Sequence, residues 1–138
     1  MRPTYETDQD VEYEKHVADV FAEKHGMTWV RNPVKYPIDI SFMQGNEIVL
    51  FAEIKCRKVN KDTYPTYMIS VSKVMAARAL TDATGVECLL IVKWKDNAGW
   101  INLNKDPDSV GFGGRVDRND SQDMEPVVYY NIIRFKDF

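Results

Sequence analysis

The sequence predicts an α/β domain built on a mixed β-sheet, and three observations carry that prediction. Between Asp10 and His25, apolar side chains recur at three- and four-residue spacing, the mark of an amphipathic helix. From Ile38 to Arg57, apolar residues alternate or run together on either side of a Gly45-Asn46 turn, which is the pattern of two paired strands. An alanine-rich stretch, 69–84, then precedes the apolar run 87–94, so a second helix leads into a buried strand. Helix and strand patterns interleaved in this way belong to α/β architecture.

Taken in order, Tyr13, Val17, Val20 and Phe21, extended by the stem of Lys24, form the apolar stripe of the first helix. Asp8 or Asp10 is placed to cap its start, and Gly26 supplies its stop. Glu14 lies one turn before Val17 and Ala18 at the margin of that stripe, so it is the acid expected to look inward, with Glu12 facing solvent. A short strand follows over Thr28–Arg31, then a loop held by Pro33 and Pro37. Ile38, Ile40 and Phe42 alternate with Asp39, Ser41 and Met43, giving a strand with one apolar face. The chain returns through Glu47–Arg57, whose Val49–Ile54 portion is apolar enough for a central strand. A polar loop over 59–66 leads to the second helix, Ile69–Thr84. Ser70 or Ser72 stands near its start, Val71, Val74, Met75, Arg78 and Ala79 mark one face, and Gly85 ends it. Glu87–Trp94 is a buried strand, and an Asn97-Ala98-Gly99 turn leads into a strand over 100–103. Residues 104–126 read as a long loop and 127–135 as a last strand, for an order α-β-β-β-α-β-β-loop-β in one domain with its core at 10–103.

Composition narrows the class. At 138 residues, 44% hydrophobic and 28% charged, the chain is an ordinary globular domain with enough length to bury a core. It contains no apolar run of membrane-spanning length and no signal-peptide pattern, so the expected compartment is the cytoplasm and no membrane partner is expected. Cys56 and Cys88 lack metal-ligand spacing and read as reduced thiols. The net charge of −3 is unevenly distributed: residues 1–30 carry −4, residues 31–78 carry +4 and residues 79–138 carry −3. The basic segment is the one in which local potential would admit a polyanion.

That segment also holds the chemistry. Glu53 and Lys55 emerge on the same face of their strand, and Asp39 stands on the neighbouring one. Crowding two carboxylates and an ammonium within an apolar run costs free energy, which a divalent cation and a phosphate would offset. Mg²⁺ takes one or two carboxylates and phosphate oxygens in octahedral geometry, so Asp39, Glu53 and the Ile54 backbone carbonyl form a suitable donor set for Mg²⁺ or Mn²⁺. Lys55 is placed to orient an attacking water and to stabilise developing charge. Glu14 could support a metal-bound water from the first helix. A Glu-x-Lys triplet alone is a common solvated strand pattern, but burial in Phe-Ala-Glu-Ile-Lys-Cys and the preceding Asp39 and Glu14 shift the balance.

Glu14, Tyr36-Pro37-Ile38-Asp39, Glu53-Ile54-Lys55 and the helix opening Ile69-Ser70-Val71-Ser72-Lys73 together resemble the PD-(D/E)xK nuclease superfamily, over roughly residues 10–95. The stretch Tyr13-Glu14-Lys15-His16-Val17 is similar to first helices of Mrr-like restriction nucleases. The Glu-Ile-Lys-Cys-Arg run, followed by a helix with Lys73 near its start, is similar to Holliday-junction resolvases. This chain carries Pro-Ile-Asp where the superfamily has Pro-Asp. The resemblance implies a restriction-endonuclease-like three-layer core, α-β-β-β-α-β, with extra C-terminal strands. It implies a Mg²⁺- or Mn²⁺-dependent deoxyribonuclease in which Asp39, Glu53, Lys55 and Glu14 are catalytic. It is also compatible with a homodimer that cuts two strands. Gly113-Gly114-Arg115 resembles small phage-encoded domains.

Lys35, Arg57, Lys73 and Arg115 are further expected to contact DNA phosphates. With no separate recognition domain in the chain, the cut site would be chosen by DNA shape rather than sequence. Trp94, Trp100, Tyr129 and Tyr130 sit in strand patterns and read as core. The rival from another class is a DNA-binding or interaction module that has lost cleavage, and the intact set of acids and lysine argues against it.

Overall fold

A computed structural model describes residues 8–114 and 124–138. Helix α1 spans Asp8–Lys24, strand β1 Thr28–Arg31, β2 Ile40–Gln44 and β3 Glu47–Cys56. Strand β4 covers Thr66–Ser70, helix α2 Val71–Thr84, β5 Cys88–Lys93 and β6 Ala98–Asn102. Then come β7 at Ser109–Gly114, β8 at Met124–Asn131 and β9 at Lys136–Asp137. Strands β1-β2-β3-β5-β6-β9 form a six-stranded sheet in that order, and β4-β8-β7 form a second sheet of three. Among the described strands only the β3–β5 pair is parallel, Glu53 lying opposite Leu90 and Lys55 opposite Val92. A parallel pair needs a crossover, and β4 with α2 supplies it.

Alternation along β3 and β5 divides the core in two. Ala52, Ile54, Leu89 and Ile91 face α1, where they pack with Val17, Ala18, Phe21 and Ala22. Phe51, Cys88, Leu90 and Val92 face the other way, against Val74 and Ala77 of α2 and Tyr67, Val128 and Tyr130 of the small sheet. By the two-residue period of a strand, Glu53 and Lys55 share this second side. Cys56 and Cys88 belong to opposite sides and both are free thiols. No described helix is long and apolar enough to cross a membrane.

Several expectations need correction. The buried face of α1 is Glu14, Val17, Ala18, Phe21 and Ala22, while Tyr13 and Val20 are exposed. The helix is thus rotated by about one residue, because the small alanines let it sit close to the sheet. It starts at Asp8, so Asp10 lies within it. The second helix begins at Val71 rather than Ile69, since Thr66–Ser70 pairs with β8 and places Tyr67 and Ile69 in the core with Met68 exposed. Met75 is exposed and the inward residues of α2 are Val74 and Ala77. Ser70 caps this helix by accepting from the Ser72 N–H at 3.1 Å, and Gly85 ends it with φ 74°, a conformation that glycine adopts without strain. Asp39 directly precedes β2 instead of lying within it. Part of the stretch read as loop, Ser109–Gly114, is strand. The last strand ends at Asn131, and a 3₁₀ turn then takes the chain to β9 on the main sheet.

Candidate active site

The site forms where β2 has ended and β3 continues. The β2–β3 ladder reaches Ile40 opposite Ala52, so the Ile54 N–H finds no strand partner on that edge and donates to Asp39 Oδ2 at 3.3 Å. In a strand the N–H and C=O of one residue point to the same edge. The Ile54 carbonyl therefore leaves β3 on the side where Asp39 stands.

Glu53 is 1% exposed although it carries a carboxylate. Lys73, from the first turn of α2, places its Nζ 3.3 Å from Glu53 Oε2 and 3.5 Å from Oε1. Lys55 Nζ stands 3.5 Å from Glu53 Oε2. Lys73 Nζ also donates to the Pro37 carbonyl at 2.6 Å, tying α2 to the segment that carries Asp39. Burial pushes the Glu53 carboxyl above its ordinary pKa, the charge of Asp39 adds to this, and the two ammonium groups offset only part of it. Burial alone would lower the Lys55 ammonium, but Glu53 and Asp39 outweigh it and hold the group protonated.

Asp39 is itself clamped. The Asn32 N–H donates to the Asp39 carbonyl at 2.8 Å, the Asn32 side-chain amide donates to the Ile38 carbonyl at 2.9 Å, and Ser41 Oγ donates to Asn32 Oδ1 at 2.7 Å. The sequence reading missed Asn32 and Ser41. Their signals were an Asn before a proline at a strand end and a polar side chain inside an apolar strand.

The structure thus brings Asp39, Glu53, Lys55 and Lys73 together. Arg57 lines the same small cavity as Lys55 and Lys73. Glu14 is buried on α1, the helix that covers the opposite face of the sheet, and its Oε2 lies 3.7 Å from Arg31 Nη1 on β1. Lys35 is exposed in the loop before β2 and is not drawn to the carboxylates. Arg115 lies outside the described residues. Trp94 and Tyr130 are buried as expected, whereas Trp100 and Tyr129 are only half-buried.

The donors suit a hard divalent cation: two carboxylates and a backbone carbonyl on one edge, with no thiol or imidazole among them. Among the described residues, no three His, Cys, Asp or Glu side chains gather into a metal-holding group. A two-carboxylate site of this kind relies on substrate phosphate and water for its remaining ligands, as Mg²⁺ sites commonly do.

No curated protein sequence matches this chain. Among solved structures, Hjc from Archaeoglobus fulgidus, a Holliday junction resolvase from an archaeal hyperthermophile, superposes with a TM-score of 0.63 at 15% sequence identity. The match covers 95% of this chain and 93% of that one. At this identity the likeness shows the fold, which is restriction-endonuclease-like. Over residues 1–138 the sequence matches the family model described as "Phage putative PDDEXK endonuclease". A buried Glu-x-Lys beside a clamped Asp, on this fold and with this match, means that the chain belongs to the phage PD-(D/E)xK endonuclease family.

Proposed function

We propose that this nuclease hydrolyses DNA phosphodiester bonds with Mg²⁺ or Mn²⁺, choosing its cut by the shape of branched, flapped or ended DNA. One observation carries the reading: Glu53 is buried between Lys55 and Lys73, within one residue of a backbone amide that anchors Asp39. Asp39, Glu53 and the Ile54 carbonyl would hold the cation. When bound, the cation supplies Lewis-acid activation of the phosphate and of the attacking water.

The chain's own residues do the rest. Lys55, kept as an ammonium, holds the water by a hydrogen bond and faces the charge that develops on the phosphate. Lys73 neutralises Glu53 before substrate arrives and then has the flanking phosphate within reach of the same ammonium. Arg57 contacts the next phosphate, with Lys35 and Arg115 as outer contacts. Glu14 acts from behind the sheet by fixing Arg31 at the start of the Asp39 loop. A homodimer would present two such sites to two strands, and the shape preference rests on analogy with the resolvase named above.

The test is cleavage of supercoiled, linear, single-stranded and four-way-junction DNA in Mg²⁺, Mn²⁺ or EDTA, with Glu53→Ala and Lys55→Ala alongside. Cleavage that needs the metal and vanishes in both folded variants supports the reading. Metal-independent cleavage, or binding without cleavage in the wild type, overturns it.

A further inference from the structure

Next to the carboxylates lies a second, larger cleft that the hydrolytic chemistry does not use. We propose that it receives an unpaired nucleobase of the strand being cut, so that a splayed or flapped nucleotide beside the scissile phosphate favours cleavage over fully paired duplex. This rests on the nuclease reading above.

The cleft has a volume of about 390 Å³, and a cavity of about 200 Å³ that holds Lys55 and Lys73 adjoins it, Arg57, Tyr67 and Met68 lining both. Its size falls in the ordinary range for small-molecule sites. Tyr67 and Trp94 line its base and are buried, held from behind by Phe135, the three rings meeting edge to face with centroids 5.2–6.3 Å apart. Tyr64 stands at the rim, 63% exposed. Two cations border this apolar wall. Arg57 Cζ lies 5.2 Å from the Tyr67 ring centre, and Lys61 Nζ lies 5.8 Å from that of Trp94. Lys61 is held by Asp137 at 3.1 Å, whereas Arg57 has no carboxylate partner among the described residues and is available to a phosphate.

The occupant follows from these features together. A phosphate alone would waste the aromatic walls, and a neutral apolar ligand would leave the Arg57 charge unanswered. A paired base shows only its edge and cannot enter. An unpaired nucleotide offers a flat ring for the exposed Tyr64, an apolar body for the cleft wall, and a phosphate for Arg57. Stacking platforms beside a basic track are the general means of holding single strands. Arg57 follows Lys55 by two residues along the chain, about 6.6 Å in extended conformation, so the cleft sits a short step from the hydrolytic centre.

The experiment pairs cleavage with a base-stacking signal. A flapped duplex carries 2-aminopurine at the unpaired nucleotide next to the cut, and a fully paired duplex of the same sequence serves as reference. Wild type, Tyr64→Ala and Tyr64→Phe are compared, Tyr64 being exposed enough to change without unfolding the chain. Wild type is expected to quench the probe and to cut the flap preferentially. Tyr64→Ala should lose the quench and raise KM for the flap by about fivefold to a hundredfold, with kcat and duplex cutting little changed, and Tyr64→Phe should restore both. Cleavage without flap preference, or a quench that Tyr64→Ala leaves intact, overturns the inference while the nuclease reading stands. Tyr64-dependent quenching by a protein that cuts no DNA would support the cleft and sink the nuclease reading. A dimer that Tyr64→Ala disperses, with no response from the probe, would assign the cleft to a second copy and overturn the proposal.

Discussion

At Glu53 the chain buries a carboxylate to 1% exposure, and neither flanking ammonium fully compensates for its burial. Such an arrangement opposes folding, the usual tension at a functional site, and the proposed cation would offset it. Glu53→Gln keeps the shape and removes the charge. Its expected outcome is a metal-free protein more stable by about 0.5–2 kcal/mol with cleavage reduced by at least about a hundredfold, read by thermal melts and plasmid nicking. Cys88 permits a second prediction. Burial, assisted by the negative charge of Glu53, pushes its thiol up to about 12. In the unfolded chain a thiol ionises near ~8.5, so the folded state keeps a proton that the unfolded state releases. The resulting stability is fully present below the unfolded pKa and is lost as pH rises toward the folded one. Relative to Cys88→Ala, wild type should lose about 2 kcal/mol between pH 7.5 and pH 10, measured by urea unfolding.

At the scale of elements, the unusual feature is how the Asp39 segment is held just outside β2. Asn32, the residue after β1, clamps it through backbone and side chain, and Lys73 fastens Pro37 from α2. Asn32→Ala leaves the Ile38 carbonyl and Ser41 hydroxyl without this partner, an expected cost of about 1–3 kcal/mol. Because Asp39 then loses its register, cleavage should fall further than stability, with DNA binding retained. Mobility shifts beside cleavage rates check this, and equal losses of binding and cleavage would count against a positioning role. The parallel β3–β5 pair matters at this scale too. The crossover it requires brings α2 back over the Glu53 face, and that return places Lys73 on the carboxylate.

Across the whole molecule, a net charge of −3 coexists with a basic middle segment, of which the fold brings Lys55, Arg57 and Lys73 to one small cavity. Association with DNA should therefore weaken steeply with salt despite the acidic total. Arg57→Ala should reduce the slope of log affinity against log salt by about one, the signature of one lost phosphate contact. Salt titrations of junction DNA by fluorescence anisotropy measure it, and an unchanged slope would remove Arg57 from the DNA track.

Much of this was legible along the chain. Strand β1, the Gly45 hairpin, the stop at Gly26 and the facing of Glu53 and Lys55 follow from local periodicity and turn chemistry, which depend on near neighbours in sequence. The inward turn of Glu14 was also readable from its place beside Val17 and Ala18. Strand β4 was not, because five residues beside a helix start carry too little pattern, and its partner β8 is about sixty residues away. Nor was the β7 strand, where Gly111 leaves room for the Tyr129 ring that a side chain there would press against. The sequence by itself determined that Glu53 and Lys55 share one strand face close to Asp39, since charge and alternation are local properties. Tertiary structure alone decided that Lys73 and Asn32 hold the site, and that Arg57, Tyr64 and Trp94 share one cleft. Those contacts join segments far apart in the chain, and only packing two layers onto one sheet brings them within reach of each other.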